Sequence, residues 1–178
     1  MTSESSPVDL LARSLKQAGD LIATVTPEQA GLSTPCTEWD LGTLVNHVVR
    51  DTDQFTKMAA GAKWEQGETI LEPDQWTDAF ASGSEDLLAA WHEQATLDEA
   101  TTNRISQQIA EFSVHGWDIA RATSYSGALD ADVAAFGLRW ARQALKPEYR
   151  GTAFGPEVEI AGDASEADRL AAFFGRRP

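Results

Sequence analysis

The sequence has 178 residues, 42% of them hydrophobic and 24% charged, a composition typical of a single globular domain with its own core. Its net charge of -14 would repel the phosphate backbone of nucleic acids, so no nucleic-acid partner is expected. The start of the chain lacks a signal-peptide pattern, and no stretch is long enough for a transmembrane helix, so a cytoplasmic location without membrane attachment is expected. The single cysteine, Cys36, excludes an intramolecular disulfide and a zinc site built from several thiolates.

The first third of the chain predicts two amphipathic helices. Apolar residues at spacings of three and four indicate a helix over residues 7–25, with Pro7 in a first-turn position. A second helix is predicted to run to about Ala60. Its predicted N-cap is Thr37, and Asp40 three residues later completes a variant of the capping box.

Three more helices are predicted in the middle of the chain. A polar, glycine-containing loop at 61–74 precedes a third helix at 76–92, whose pattern Gly83 interrupts. A fourth helix is predicted at 104–124 and a fifth at 131–145, both from their apolar spacing.

The C-terminal part predicts a short extended piece, Val158–Ile160, followed by a helix that starts near Ser165. Strand signals are almost absent elsewhere, which favours an all-α bundle with short appended helices and a small extended C-terminal segment. We find no linker that would divide the chain. Residues 1–6 are therefore interpreted as a disordered N-terminus and residues 7–178 as a single helical domain.

The predicted fourth helix places two ionisable residues one turn apart among apolar neighbours. Glu111 and His115 share one stripe of this helix with Asp118, and apolar residues border the stripe on both sides. This pattern is typical of a helix whose polar line faces the inside of a bundle. Ionisable groups are expensive to bury unless something pairs with them, and a metal ion would be such a partner.

A third candidate ligand lies on the predicted second helix. His47 falls at the edge of an apolar arc, on the side that points toward the core. His47, Glu111 and His115 on two facing helices would form a two-histidine, one-carboxylate set that binds zinc and leaves a fourth position for water or substrate. Spacing alone leaves an alternative open. A lone histidine at such an edge is more often structural, and Glu-x-x-x-His occurs by chance in many helices.

Other polar residues near these three keep more than one interpretation. Asp51 and Asp118 are either acceptors that orient a metal-bound imidazole or ordinary carboxylates. Cys36 precedes a helix start, where the pKa of a thiol can be lowered, but a small buried residue packed beneath Trp39 is favoured. His92 lacks a ligand partner at a useful spacing and is interpreted as structural or solvated.

Three segments of the sequence, TPCTEWDLGTLVNHVVR, EFSVHGWDIARAT and DRLAAFFGR, resemble signature blocks of one family. It comprises the actinobacterial DinB-like proteins that are similar to the N-terminal domain of mycothiol-dependent maleylpyruvate isomerase. The resemblance covers nearly the whole chain and implies a DinB-like four-helix bundle. It further implies that His47, Glu111 and His115 hold a divalent metal, typically zinc, with nickel, manganese and iron as alternatives.

The same resemblance implies thiol chemistry. A metal would bind the sulfur of mycothiol, or of a similar small thiol, as a thiolate that attacks a small electrophile. The expected activity is therefore that of a thiol-dependent transferase or isomerase, and no catalytic residue is assigned. The isomerase has an additional C-terminal domain that helps hold its substrate, whereas this sequence ends at Pro178, so activity on maleylpyruvate itself is not expected. A noncatalytic metal- or metabolite-binding module of the same fold is the alternative.

Overall fold

Six α-helices and no β-strand are found in the residues that the computed structural model describes, which are 5–63, 70–94, 96–151 and 154–178. The helices are α1 (Pro7–Ile22), α2 (Leu41–Ala59), α3 (Trp76–His92), α4 (Glu99–Ala122), α5 (Ala131–Ala144) and α6 (Glu166–Phe173). Short 3-10 helices lie at Pro27–Gln29, Pro73–Gln75 and Pro147–Tyr149. The predicted all-α fold is confirmed. None of the described helices has both the length and the apolar character needed to cross a membrane.

Helices α1 to α4 form a bundle in which each helix packs against two others. α1 contacts α3 and α4, and α2 contacts the same two helices from the other side. Their apolar faces meet in one core, which contains the fully buried side chains of Leu11, Leu44, Trp76, Ile109 and Phe112. α5 and α6 are appended to α4, where a second apolar cluster surrounds Trp117. α4 is thus covered on several sides, and some of its polar side chains, among them Gln108, His115 and Asp118, are buried.

The start of α2 differs from the prediction. Asp40 caps the helix instead of Thr37, and its carboxylate accepts a hydrogen bond of 2.8 Å from the backbone N–H of Thr43. The reason is a tight return of the preceding chain, in which the N–H of Leu41 donates to the carbonyl of Leu32. This return leaves residues 35–39 in a loop beside the helix.

Two other helix ends are also shifted. α4 begins at Glu99, earlier than the predicted start near Arg104, because Asp98 caps it through a hydrogen bond to a backbone N–H in its first turn. α1 ends at Ile22 rather than Val25. The three-residue shift at the end of α1 is within the usual uncertainty of helix ends read from apolar spacing, whereas the five-residue shift at the start of α4 exceeds it.

Gly83 does not interrupt α3. It packs directly against Thr52 of α2, and a Cβ at this position would overlap the hydroxyl of Thr52 and lie 2.8 Å from the Cβ of Thr52. Glycine therefore allows the two helices to approach each other, which accounts for its place in the middle of a helix despite its low helix propensity.

The terminal segments follow the prediction in part. Residues 1–4 of the predicted disordered terminus lie outside the described residues, and Ser6 caps α1. Val158–Ile160 forms no strand, although the N–H of Val158 donates to a backbone carbonyl of α6 at 2.9 Å. Ser165 caps α6 close to the predicted start.

Beyond α6 the chain turns back toward the bundle at Gly175, whose φ is +85°. A Cβ there would lie 2.7 Å from the Cα of Gly155, so the turn needs glycine for both its backbone conformation and its packing. The turn carries the next residue, Arg176, into the interior, where only 5% of its side chain is exposed.

Candidate metal centre

The structure brings His47 from α2 together with Glu111 and His115 from α4. Oε1 of Glu111 lies 3.2 Å from Nε2 of His47 and 3.1 Å from Nε2 of His115. One ligand atom from each of the three residues lies within 4.8 Å of the other two. A tetrahedral zinc ion with ligand distances of about 2.0–2.1 Å separates its donor atoms by about 3.3 Å, so these side chains need only small shifts to hold one. The predicted grouping is present, and the binding of an ion stays a prediction.

The three side chains lie at the edge of the core rather than at its centre. Exposure falls from 22% for the Glu111 side chain to 12% for His47 and 6% for His115. In the part of the chain that the structure describes, no fourth His, Cys, Asp or Glu joins the group. An ion held by these residues would therefore have three protein ligands and one coordination position left for another ligand.

Without a metal ion, the imidazole of His115 is protonated and pairs with the carboxylate of Glu111. Burial lowers the pKa of His115, but the charge of Glu111 and hydrogen bonds to Asp118 and Glu111 outweigh it and raise this pKa to about 10. Burial raises the pKa of Glu111, but the charge of His115 and hydrogen bonds from both imidazoles bring it well below its usual range. The two groups therefore form an ion pair at neutral pH, and a metal ion would displace the proton of His115.

His47 has a different environment. Burial is the main reason that its pKa is lowered, while the hydrogen bond with Glu111 opposes the shift. Nη2 of Arg50 lies 3.0 Å from Nδ1 of His47, and a guanidinium can only donate, so Nδ1 accepts this bond and the proton of the neutral ring is on Nε2. A metal ion bound to Nε2 would require this proton to move to Nδ1, which leaves the ring neutral and releases no proton.

Asp118 is placed to orient His115. Its Oδ2 lies 3.1 Å from Nδ1 of His115, and its side chain is completely buried. An imidazole that donates Nδ1–H to a carboxylate keeps the lone pair of Nε2 for a metal. Of the two interpretations of Asp118, the geometry favours the orienting acceptor.

Asp51 is not an ordinary surface carboxylate, because only 1% of its side chain is exposed. Its Oδ2 lies 3.3 Å from Nε2 of His47, the nitrogen that faces Glu111, so it does not act on the far nitrogen of the ring as Asp118 does for His115. Burial and, next, the charge of Glu111 raise the pKa of Asp51 well above its usual range. Its Oδ1 is buried and has no hydrogen-bond partner among the described residues. The carboxyl group of Asp51 is therefore a buried polar neighbour of His47, and one of its two oxygens lacks a hydrogen bond within the described part of the chain.

A cavity of about 340 Å³ opens onto the three candidate ligands. Its walls are the loop at 35–39, which precedes α2, and two C-terminal segments at 154–155 and 174–176. Trp39 lines this cavity, with its ring centroid 4.5 Å from that of His47. The cavity thus joins the protein surface to the place where a metal would bind.

Cys36 is half-buried in the same cavity wall. Burial raises the pKa of its thiol to about 11, so the thiol is protonated at neutral pH. A reactive thiolate at this position is therefore not favoured, in agreement with the interpretation made from the sequence. His92 is exposed at the end of α3 and takes no part in the group.

The C-terminal contribution to the centre was missed in the sequence analysis. Arg176 lines the cavity and bonds to Asp118, and Phe154 and Phe174 form part of the wall. The signal for it in the sequence is the segment DRLAAFFGR, which ends on Arg176.

Comparison with known proteins identifies the family of this chain. Residues 11–120, which include His47, Glu111 and His115, match the family described as mycothiol maleylpyruvate isomerase N-terminal domain. Two uncharacterized proteins, from two strains of Mycobacterium tuberculosis, are each 30% identical to this chain over 172 residues, covering 88% of this chain and 90% of the relative. No solved structure matches the chain significantly. The chain belongs to the mycothiol maleylpyruvate isomerase N-terminal domain family.

Proposed function

From this family membership we propose that the protein binds a divalent metal and uses it to activate a small thiol for transfer or isomerisation chemistry. Zinc is the first candidate for the metal, with nickel, manganese and iron as alternatives. Mycothiol, which the description of the family names, is the first candidate for the thiol. The observation that carries the proposal is the convergence of His47, Glu111 and His115 at one end of an open cavity.

The chemistry of the donor set fits a metal that activates a thiol. Two imidazoles and one carboxylate suit zinc, and their three donor atoms would leave one coordination position open. When bound, such a metal lowers the pKa of a coordinated thiol, so that the thiolate predominates at neutral pH. The cavity of about 340 Å³ is large enough for the thiol-bearing end of a small molecule.

The residues of this chain have separate tasks in the proposal. His47, Glu111 and His115 hold the ion, and Asp118 accepts the Nδ1–H of His115 so that Nε2 faces the ion. Cys36 lines the cavity as a protonated thiol outside the ligand group, which leaves the open position to the external thiol. The electrophile would meet the sulfur inside the cavity, held close to it for attack.

Titration of the cobalt-substituted protein with mycothiol tests the proposal. A thiolate-to-cobalt charge-transfer band is expected in the near-ultraviolet, because sulfur would enter the open coordination position. The disulfide form of the same thiol, which has no free sulfhydryl, should leave the spectrum unchanged. Cys36→Ser should retain the band, since the sulfur comes from outside the chain. Cobalt binding without a new band would reject thiol activation.

Chelation of the metal distinguishes an enzyme from a module with a structural metal. The bundle has a large apolar core of its own, so removing the ion should leave the helical circular-dichroism signal nearly unchanged while thiol binding is lost. Unfolding on chelation would instead indicate that the ion is structural and would favour a noncatalytic module.

A further inference from the structure

We propose that Arg176 is a positioning residue of the candidate metal centre, and that it acts through Asp118 on His115. The inference rests on the proposed function, because the ligand that it concerns is His115. In this arrangement the guanidinium of Arg176 locks the carboxylate of Asp118, and the carboxylate holds the imidazole so that Nε2 faces Glu111 and the ion.

The contacts form a continuous chain from Arg176 to the centre. Nη2 of Arg176 donates to Oδ2 of Asp118 at 3.1 Å, and Nε donates to Oδ1 at 3.3 Å. The same Oδ2 lies 3.1 Å from Nδ1 of His115. Two parallel bonds from a planar guanidinium fix both the position and the rotation of a carboxylate, which a single charged contact would not do.

The cost of burial indicates a specific role for this pair. The Asp118 side chain is 0% exposed and that of Arg176 is 5% exposed, so both charges have been removed from water. An apolar pair of similar size would often serve packing equally well, and a buried ion pair is therefore weak evidence for a stabilising role. A carboxylate that accepts a hydrogen bond from a ligand imidazole, however, needs a fixed negative charge at that point, and Arg176 supplies the compensating positive charge.

The path of the backbone supports the assignment. Arg176 also donates from Nη1 to the carbonyl of Phe174 at 3.1 Å, which closes the turn around Gly175. This turn is the one that requires glycine because of its close approach to Gly155. The turn in the last segment of the chain thus brings the guanidinium of Arg176 to Asp118, the residue that contacts His115.

A direct role for Arg176 in binding an anionic substrate is the competing explanation, since the residue lines the cavity. Its Nε, Nη1 and Nη2 atoms are already engaged with Asp118 and the carbonyl of Phe174. These internal contacts favour positioning over substrate binding.

A double-mutant cycle on metal affinity tests the inference. The variants are Arg176→Gln, Asp118→Asn and the double substitution, and Arg177→Gln is the matched control, because Arg177 is the exposed neighbour of the same type. Residues that hydrogen-bond to a ligand typically contribute 10–100-fold to metal affinity, so about a tenfold loss is expected for Arg176→Gln and about 10–100-fold for Asp118→Asn. If Arg176 acts through Asp118, the double variant should bind zinc within about twofold of Asp118→Asn alone.

Nitrogen-15 NMR spectra of the histidine rings in the zinc-loaded protein give a second measurement. If Arg176 had only a structural role, its substitution would leave the ring signals of His115 unchanged. Wild type and Arg177→Gln should show His115 with a hydrogen-bonded Nδ1–H and a metal-bound Nε2. Arg176→Gln should shift the Nδ1–H signal of His115. Arg176→Lys keeps the positive charge but loses the bidentate contact with Asp118, so its signal should lie between those of the wild type and Arg176→Gln. If circular dichroism shows that Arg176→Gln is unfolded, Arg176→Lys takes its place in the cycle.

The outcomes separate this inference from the proposed function. A wild-type protein that binds no divalent metal overturns the proposed function and this inference with it. Wild-type metal binding together with unchanged affinity in Arg176→Gln, or with fully additive losses in the double variant, overturns the inference alone. Weaker binding of an anionic thiol with unchanged zinc affinity would assign Arg176 to the substrate instead.

Discussion

Replacing His115 with alanine is expected to remove most of the metal that co-purifies with the protein. His47→Ala and Glu111→Ala should have the same effect, because each substitution takes away one of the three donors in the ligand group. A residue that merely hydrogen-bonds to a ligand already accounts for about 10–100-fold in affinity, so loss of a ligand should weaken zinc binding by at least about a hundredfold. Metal analysis of protein purified without chelator, followed by competitive zinc titration, measures the effect.

His92→Ala is the control for these three variants, because His92 is an exposed histidine outside the group. It should keep the metal content and the affinity of the wild type. Circular dichroism should show the same helical content in all four variants, since the ligands lie at the edge of the core. Equal metal content in all four would reject the assignment of the centre.

Zinc affinity is expected to rise about tenfold for each pH unit between about pH 7 and 9. The reason is the proton of His115, whose pKa is raised to about 10 by the charge of Glu111 and the hydrogen bonds to Asp118 and Glu111, against the opposing effect of burial. Over this range the metal must displace one proton from His115, and each unit of pH makes that displacement tenfold easier. The pKa of His47 is lowered, so this ring is already neutral and adds a second proton only in acid.

This pH profile differs from the one that the residue types alone predict. Two imidazoles with an ordinary pKa of about 6.5 would give a loss of affinity confined to acid, steepening to roughly a hundredfold per unit, and a flat profile above neutrality. Competitive zinc titrations from about pH 6 to 9, with the same measurements on His115→Ala as the control, distinguish the two profiles. His115→Ala should bind more weakly and show little dependence above pH 7. A flat wild-type curve above pH 7 would contradict the coupling of His115 to Glu111.

The helical architecture and the ligand grouping were accessible from the sequence. Apolar spacing predicted every helix of the bundle, because a helix that buries one face must repeat its apolar residues every three or four positions. The polar stripe with Glu111 and His115, and the position of His47 on the core side of its helix, predicted that these three side chains would meet. The resemblance to a known family then associated this grouping with metal-bound thiols. The family match confirms that resemblance.

What the sequence could not decide depends on contacts between segments that are distant along the chain. Both Thr37 and Asp40 are able to cap a helix, and only the return of the chain to Leu32 selects Asp40. The spacing of apolar residues assigns a residue to one face of its helix. It does not show which other segment of the chain packs against that face. The burial of Asp51 against His47 and the raised pKa of His115 therefore became visible only in the folded chain.

The clearest case is the link between Asp118 and Arg176, which are 58 residues apart in the sequence. Nothing in the local pattern of either segment indicates the other, since the contact exists only because α6 packs on α4 and the turn at Gly175 points back into the bundle. The sequence by itself determined the helices, their buried faces and the three candidate ligands, because these follow from local spacing and residue chemistry. The tertiary structure decided the walls of the cavity, the proton positions on the two imidazoles and the residues that hold His115, because burial and charge pairing arise only when separate elements pack together.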